Sequence, residues 1–383
     1  MINLSDYLSL VSTGLIYFRL SWFNNSQILS SFAMAKNTKV QFTKLIFFLL
    51  CSTVLISCEA IGYYSQAAQG QISIFLGRQN IEELISSDSF PDNLKHKFKE
   101  IEKIKNFARL NLKLPVGDNY SSYIDVNRDY LVWNVFAAPE FSTKPSTWCY
   151  PFAGCVAYRG YFSRERALRY AEKLENQGFD VYTGGVAAYS TLGWFDDPIT
   201  STIINRSTNQ LARLIFHELA HQVVYLPGDT TFNESFATVV ENEGLRLWLL
   251  SQGQDDVHGE TSLRQLQRQQ FVNLVTRSRN RLSKVYASEL SDTLKREKKL
   301  ELQHRMRQEY ALLSKEWGSD GGYDSWFANS LNNAQLSTVT SYNDLVPNFE
   351  RLLVQNGGNL EKFYSKVIEI SALDETQRQE KLP

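Results

Sequence analysis

Hydrophobic and polar positions change rhythm twice along this chain, and each change predicts a different kind of structure. From Tyr63 to about Leu110 the pattern is polar, charged and helical, and it ends in the turn Pro115-Val116-Gly117-Asp118. Tyr123 to Phe162 is aromatic-rich with a short period. Within it Tyr130–Val135 and Val156–Tyr158 predict strands separated by Pro/Ser/Thr turns. Ala167, Leu168, Ala171 and Leu174 then recur at helical spacing, and Phe179–Thr183 predicts a further strand. From Thr200 the helical rhythm takes over. Leu211, Leu214, Ile215 and Leu219 form one apolar stripe, which stops before Pro227-Gly228-Asp229, and a second helix is expected from Asn233 to Leu250. Val275, Leu282, Tyr286, Leu290, Leu294, Leu302, Met306 and Tyr310 mark long helices whose charged faces are solvated. Trp326 to Ile370 reads as two short helices. The expected fold class is α+β: a strand-containing N-terminal half (58–185) against a mostly helical C-terminal half (186–383).

The segment before residue 58 follows different rules. Lys36, Lys39 and Lys44 precede the apolar run Leu45–Ile56, which is short for a membrane span and has the order of a secretory signal. Leu55-Ile56-Ser57-Cys58 resembles a bacterial lipoprotein processing box. That resemblance implies cleavage before Cys58 and lipidation of its sulfur, with residues 1–57 as signal region and Met34 as an alternative start. An uncleaved anchor is the other reading. The expected location is the bacterial cell envelope, lipid-anchored at the outer membrane and facing the periplasm. In such an oxidising compartment Cys149 and Cys155 are expected to pair, the alternative being two buried free thiols. A formal net charge of −1 at pH 7, with no basic stripe, excludes the usual nucleic-acid binder.

The chemistry concentrates in His217-Glu218-Leu219-Ala220-His221. Helical residues four apart lie on one face, about 6 Å apart along the axis, so both imidazoles can reach one Zn²⁺. Glu218 is then placed to act as general base. A third ligand is expected near the start of the next helix, if that helix folds back antiparallel. Glu234 fits, and Glu241, seven residues on, would hydrogen-bond His217 from behind. The reverse assignment, Glu241 as ligand and Glu234 as support, stays open. One zinc per chain is expected, with a coordination position left open.

His217–His221 followed by Asn233-Glu234-Ser235-Phe236-Ala237 resembles the gluzincin metallopeptidases, especially their aminopeptidase branch. Two features depart from that branch: Ser235 stands where glycine is usual, and only 12 residues separate His221 from Glu234. A closer resemblance, over 58–370, is to a family of bacterial aminopeptidases, membrane-associated zinc peptidases. It is carried by Trp148–Cys155, Tyr158–Phe162, Gly193–Pro198, Phe216–Gln222, Phe232–Ala237 and Asn332–Leu336. The resemblance implies a zincin-like metallopeptidase acting on peptide substrates and held at a membrane by its N-terminal lipid. It supports the reaction class better than the exopeptidase mode, so a zinc endopeptidase remains an alternative, as does a non-catalytic zinc-stabilised scaffold. In related zinc peptidases an edge strand pairs with the substrate backbone, a role that would fall on Tyr189–Trp194. Asp196 or Asp197 is expected to cap the helix beginning near Thr200, with Pro198 at its first position. Tyr342, and after it Tyr225, are candidate donors to the oxyanion. Arg159 and Arg164 are candidates for a substrate carboxylate or for structural ion pairs.

Overall fold

The computed structural model describes residues 61–150, 154–254, 260–319 and 321–383. Cys58 and His258 lie outside the described residues. Ser65 to Pro383 form one compact unit. The chain opens with helix α1 (61–76), strand β1 (Gln79–Asn80), α2 (Ile81–Ser86) and α3 (Asp92–Leu110). Phe98, Ile101, Ile104, Phe107 and Ala108 are buried along α3 at spacings of one to four, the stripe that one helical face requires. Then come β2 (Ser122–Ile124), β3 (Val132–Pro139), β4 (Trp148–Tyr150), β5 (Gly154–Val156), β6 (Arg159–Tyr161), α4 (Arg164–Glu175), β7 (Phe179–Val186) and β8 (Ile199–Thr200).

The strands form three small sheets. β1, β2 and β8 make one, with β2 antiparallel to β1 and parallel to β8. A second has the order β6-β3-β7, with β3 and β7 antiparallel in register from Val132↔Val186 to Pro139↔Phe179. The third is the β4–β5 pair, which Cys149 and Cys155 close with a disulfide. Gly154 has φ 72° and faces the turn at Pro227-Gly228. A Cβ there would collide with that backbone, so the cross-linked pair is seated on the turn.

The helical half comprises α5 (Ser201–Ile204), α6 (Thr208–Val223), α7 (Thr230–Ser251), α8 (Glu260–Tyr286), α9 (Asp292–Trp317), α10 (Asp324–Phe327), α11 (Asn333–Asn343), α12 (Val346–Gln355), α13 (Leu360–Ser371) and α14 (Glu375–Lys381). Where the sequence suggested two short helices between Trp326 and Ile370, the structure has three, α11 to α13, after the end of α10. Asn332 caps α11 by accepting from the Gln335 amide, and Pro347 sits in the first turn of α12. These local stop and start signals outweigh the continuous apolar content. α7 is buried on nearly all sides, against α6, α11 and α12. The larger core joins α3, α6, α7, α12 and α13, and a second gathers α8, α9, α10 and α11. The strand and helical regions are bolted together at Asp180 of β7, which takes both the Lys299 ammonium (2.7 Å) and the Asn333 amide (2.8 Å).

Candidate metal centre

α6 begins with a capping box. Ser207 accepts from the Gln210 amide, and the Gln210 side chain returns the bond to the Ser207 amide. Leu211, Ala212, Ile215, Phe216, Leu219 and Ala220 are buried in the core. His217, Glu218 and His221 therefore project from the rest of the helix circumference. α7 folds back after the turn at Pro227-Gly228, and its start is fixed by Asn233. The Asn233 side chain accepts from the Leu226 amide (2.7 Å) and donates to the Leu226 carbonyl (2.8 Å), which sets Glu234 across from the two histidines. Ser235, the departure from glycine, is fully buried and accepts from the Leu345 amide at 3.2 Å.

His217, His221 and Glu234 bring one ligand atom each within 4.8 Å of one another. Glu234 Oε2 lies 3.2 Å from His217 Nε2 and 3.7 Å from His221 Nε2. Two donors at zinc bond lengths in a tetrahedron stand about 3.3–3.4 Å apart, so the spacing suits a zinc-sized ion. The donor set, two imidazoles and one carboxylate, is also one that zinc accepts. Behind the cluster, His217 Nδ1 is 2.9 Å from Glu241 Oε2. Burial lowers the His217 pKa, but Glu234 and Glu241 outweigh it and raise it well above the ordinary value, so a metal taken up at Nε2 would displace a proton while Nδ1–H stays on Glu241. Glu241 in turn accepts from Arg213 Nε at 2.5 Å and Arg268 Nη1 at 3.1 Å. Burial raises the Glu241 pKa, but His217 and the two guanidiniums outweigh burial and hold it well below the usual range. Burial pushes His221 down to about 4, so this ring is neutral and able to ligate at pH 7.

Glu218 stands apart from the donor set. Burial, together with the nearby charges of Glu234, Asp197 and Glu241, raises its pKa to about 7 against the opposing effect of His217. It lines a small cavity of about 20 Å³ with Tyr120, Tyr189, Asp197 and Pro198, among others. That is room for one water molecule. Burial and the charges of Glu218 and Asp197 keep the Tyr120 hydroxyl protonated.

Asp197 corrects a sequence expectation. It does not cap α5, whose capping residue is Thr200, without a side-chain bond. Instead Asp197 is buried and accepts from the Thr191 amide (3.0 Å) and from Ser190 Oγ (3.4 Å). Tyr189–Trp194 is also not a strand. Leu192 and Gly193 have φ of 56° and 78°, and the segment turns back on itself rather than extending. The Arg159 guanidinium stacks over the Tyr170 ring at 4.6 Å, and Arg164 opens α4 in an exposed position. Tyr225 is partly buried with its pKa raised by burial and by Glu234. Tyr342 falls in α11, and its side chain lies outside the described residues. His96 and His304 are exposed and away from the cluster. Sequence reasoning missed Arg213, Arg268, Tyr120 and Asn119. Arg213 alone left a signal, one helical turn before His217.

A largely buried His/His/Glu donor set with an adjacent half-buried carboxylate defines a site able to coordinate a metal ion, as a metal-dependent hydrolase requires. The chain belongs to the family described as "Putative aminopeptidase", whose model matches residues 62–382. Among curated proteins and among solved structures nothing matches it.

Proposed function

We propose that this protein is a zinc-dependent aminopeptidase of the bacterial cell envelope, with His217, His221 and Glu234 holding the metal and Glu218 as general base. The observation that carries the reading is the spacing of the three donors beside a half-buried carboxylate that is not one of them. Zinc held there supplies Lewis acidity toward the scissile carbonyl and toward a water molecule. The protein's own part is proton handling and orientation. A carboxylate titrating near neutrality can take a proton from the attacking water and return it to the leaving amine. Glu241, charged by Arg213 and Arg268, fixes the His217 tautomer. The aminopeptidase mode rests on the family and on the Asn233–Ala237 resemblance. Envelope location and lipidation rest on the sequence around Cys58. Among the described residues no helix is long and apolar enough to cross a membrane.

A peptide library, half of it N-terminally acetylated, tests the mode. Stepwise loss of single residues from free-amine peptides alone is expected, and equal internal cleavage of both halves identifies an endopeptidase. No cleavage of either half by protein holding one zinc removes the peptidase reading. Intact mass of membrane-extracted protein should show an acylated chain beginning at Cys58.

A further inference from the structure

We propose that Trp194 and Phe195 seat an apolar side chain of the peptide substrate beside the scissile bond, and that Asp196 disfavours acidic ones. The inference deepens the peptidase reading and rests on it. Trp194 is 65% exposed and Phe195 52%, consecutive large rings on the surface. Scattered exposed hydrophobics are ordinary, but this pair is held in a defined frame. Thr191 Oγ1 donates to the Phe195 carbonyl (2.8 Å) and accepts from the Phe195 amide (3.2 Å), while the Trp194 amide donates to the Thr191 carbonyl (3.1 Å). Asp197 grips the Thr191 amide from below, and the Leu192 amide donates to Ser190 Oγ at 3.0 Å. Leu192 is kept left-handed by this frame, a conformation that a non-glycine residue rarely adopts.

The frame is fastened to the metal helix. The Asp197 amide donates to Asn119 Oδ1 (2.9 Å), and Asn119 Nδ2 donates to Gln222 Oε1 (3.3 Å). Gly193 packs over Gln222, where a Cβ would stand 3.6 Å from Oε1. Gln222 is four residues after Glu218, so both lie on one face of α6. Glu218 itself lines the cavity under the segment, alongside Ala188, Tyr189 and Asp197. Gly193, which directly precedes the two aromatic residues, thus stands against the face of α6 that carries Glu218. Rigid aromatic anchors held in advance are what apolar recognition uses, because little ordering is left to be done on binding. The exposed Asp196 places negative charge next to them.

The test uses the zinc-loaded enzyme and peptides carrying Phe, Leu, Ala or Glu on either side of the scissile bond. In the paired variant Trp194→Ala/Phe195→Ala, kcat/KM for Phe and Leu peptides should fall about tenfold or more, chiefly through KM. Ala peptides should change little, and zinc content should not change. Asp196→Asn should improve Glu peptides selectively. Binding of the Phe and Ala peptides to zinc-loaded Glu218→Gln, with and without the paired change, is measured by calorimetry. That arm decides the seat even if the wild type hydrolyses nothing, an outcome that removes the peptidase reading alone. Selective loss of Phe-peptide affinity supports the seat. Equal losses for all peptides, or none, overturn it, and Trp194→Phe should restore most of the preference.

Discussion

Two regions border Glu218, and they achieve order by different means. In the α6–α7 hairpin, His217 and His221 share a face because they are four residues apart. Glu234 and Glu241 share another because they are seven apart. The segment 187–198 has no repeating backbone bonds to rely on. Its shape comes from Asp197, Ser190 and Thr191 among themselves and from Asn119, distant in sequence. The donor cluster should therefore tolerate change around it as long as the helices persist, whereas the surroundings of Glu218 depend on single hydrogen bonds. Metal binding and base environment should be separable by mutation.

The largest separation is expected from Glu218→Gln. Peptide hydrolysis should fall about 10²–10⁴-fold while zinc content, by mass spectrometry, stays at one per chain. Retained turnover would take Glu218 out of the mechanism. Next in size is Glu241→Gln, for which competition with a chelator should show zinc affinity lowered about 10–100-fold. Glu234→Gln should empty the site altogether, and the reverse order would exchange the two roles. On the loop side, Asn119→Ala leaves the buried Asp197 amide without its acceptor. Urea unfolding should register a loss of about 1–3 kcal/mol, with zinc affinity unchanged. If zinc affinity falls with it, the two regions are not independent.

The smallest effect is a linkage. The folded pKa of Glu241 lies below its ordinary value of 4.5. Its carboxylate therefore contributes stability that is fully present above pH 4.5 and is lost as pH falls through the folded pKa. In metal-free protein, the melting-temperature gap between wild type and Glu241→Gln should be steady at neutral pH and close progressively below about 4.5. A gap independent of pH would mean that the contribution of Glu241 is packing rather than charge.

The sequence made the hairpin legible because periodicity acts over a few residues. The stripe Leu211–Leu219, the turn at Pro227-Gly228 and the paired His and Glu spacings were enough to expect two facing helices with converging donors. The strands at Tyr130–Val135 and Phe179–Thr183 and the α+β division were legible on the same grounds. What failed was non-local. Tyr189–Trp194 has strand-like composition, yet the pull of Asp197 on Thr191 and the left-handed Leu192 and Gly193 bend it into a compact turn. Asp197 looked like a cap because it precedes a helix, and its real partners could not be read from its neighbours. Arg268 reaches Glu241 from α8, with nothing in the local sequence to announce it.

The compactness of the donor set also bears on what the site costs to assemble. His217, His221 and Glu234 belong to one helical hairpin, so closing the loop between them costs little chain entropy. The pocket that tunes Glu218 must instead bring together Tyr120 and Asp197, remote in sequence, and set β2 beside β8. Contacts of that range carry a larger loop-closure cost. The donor set is thus the low-cost part of the site to assemble, and the surroundings of Glu218 are the costly part.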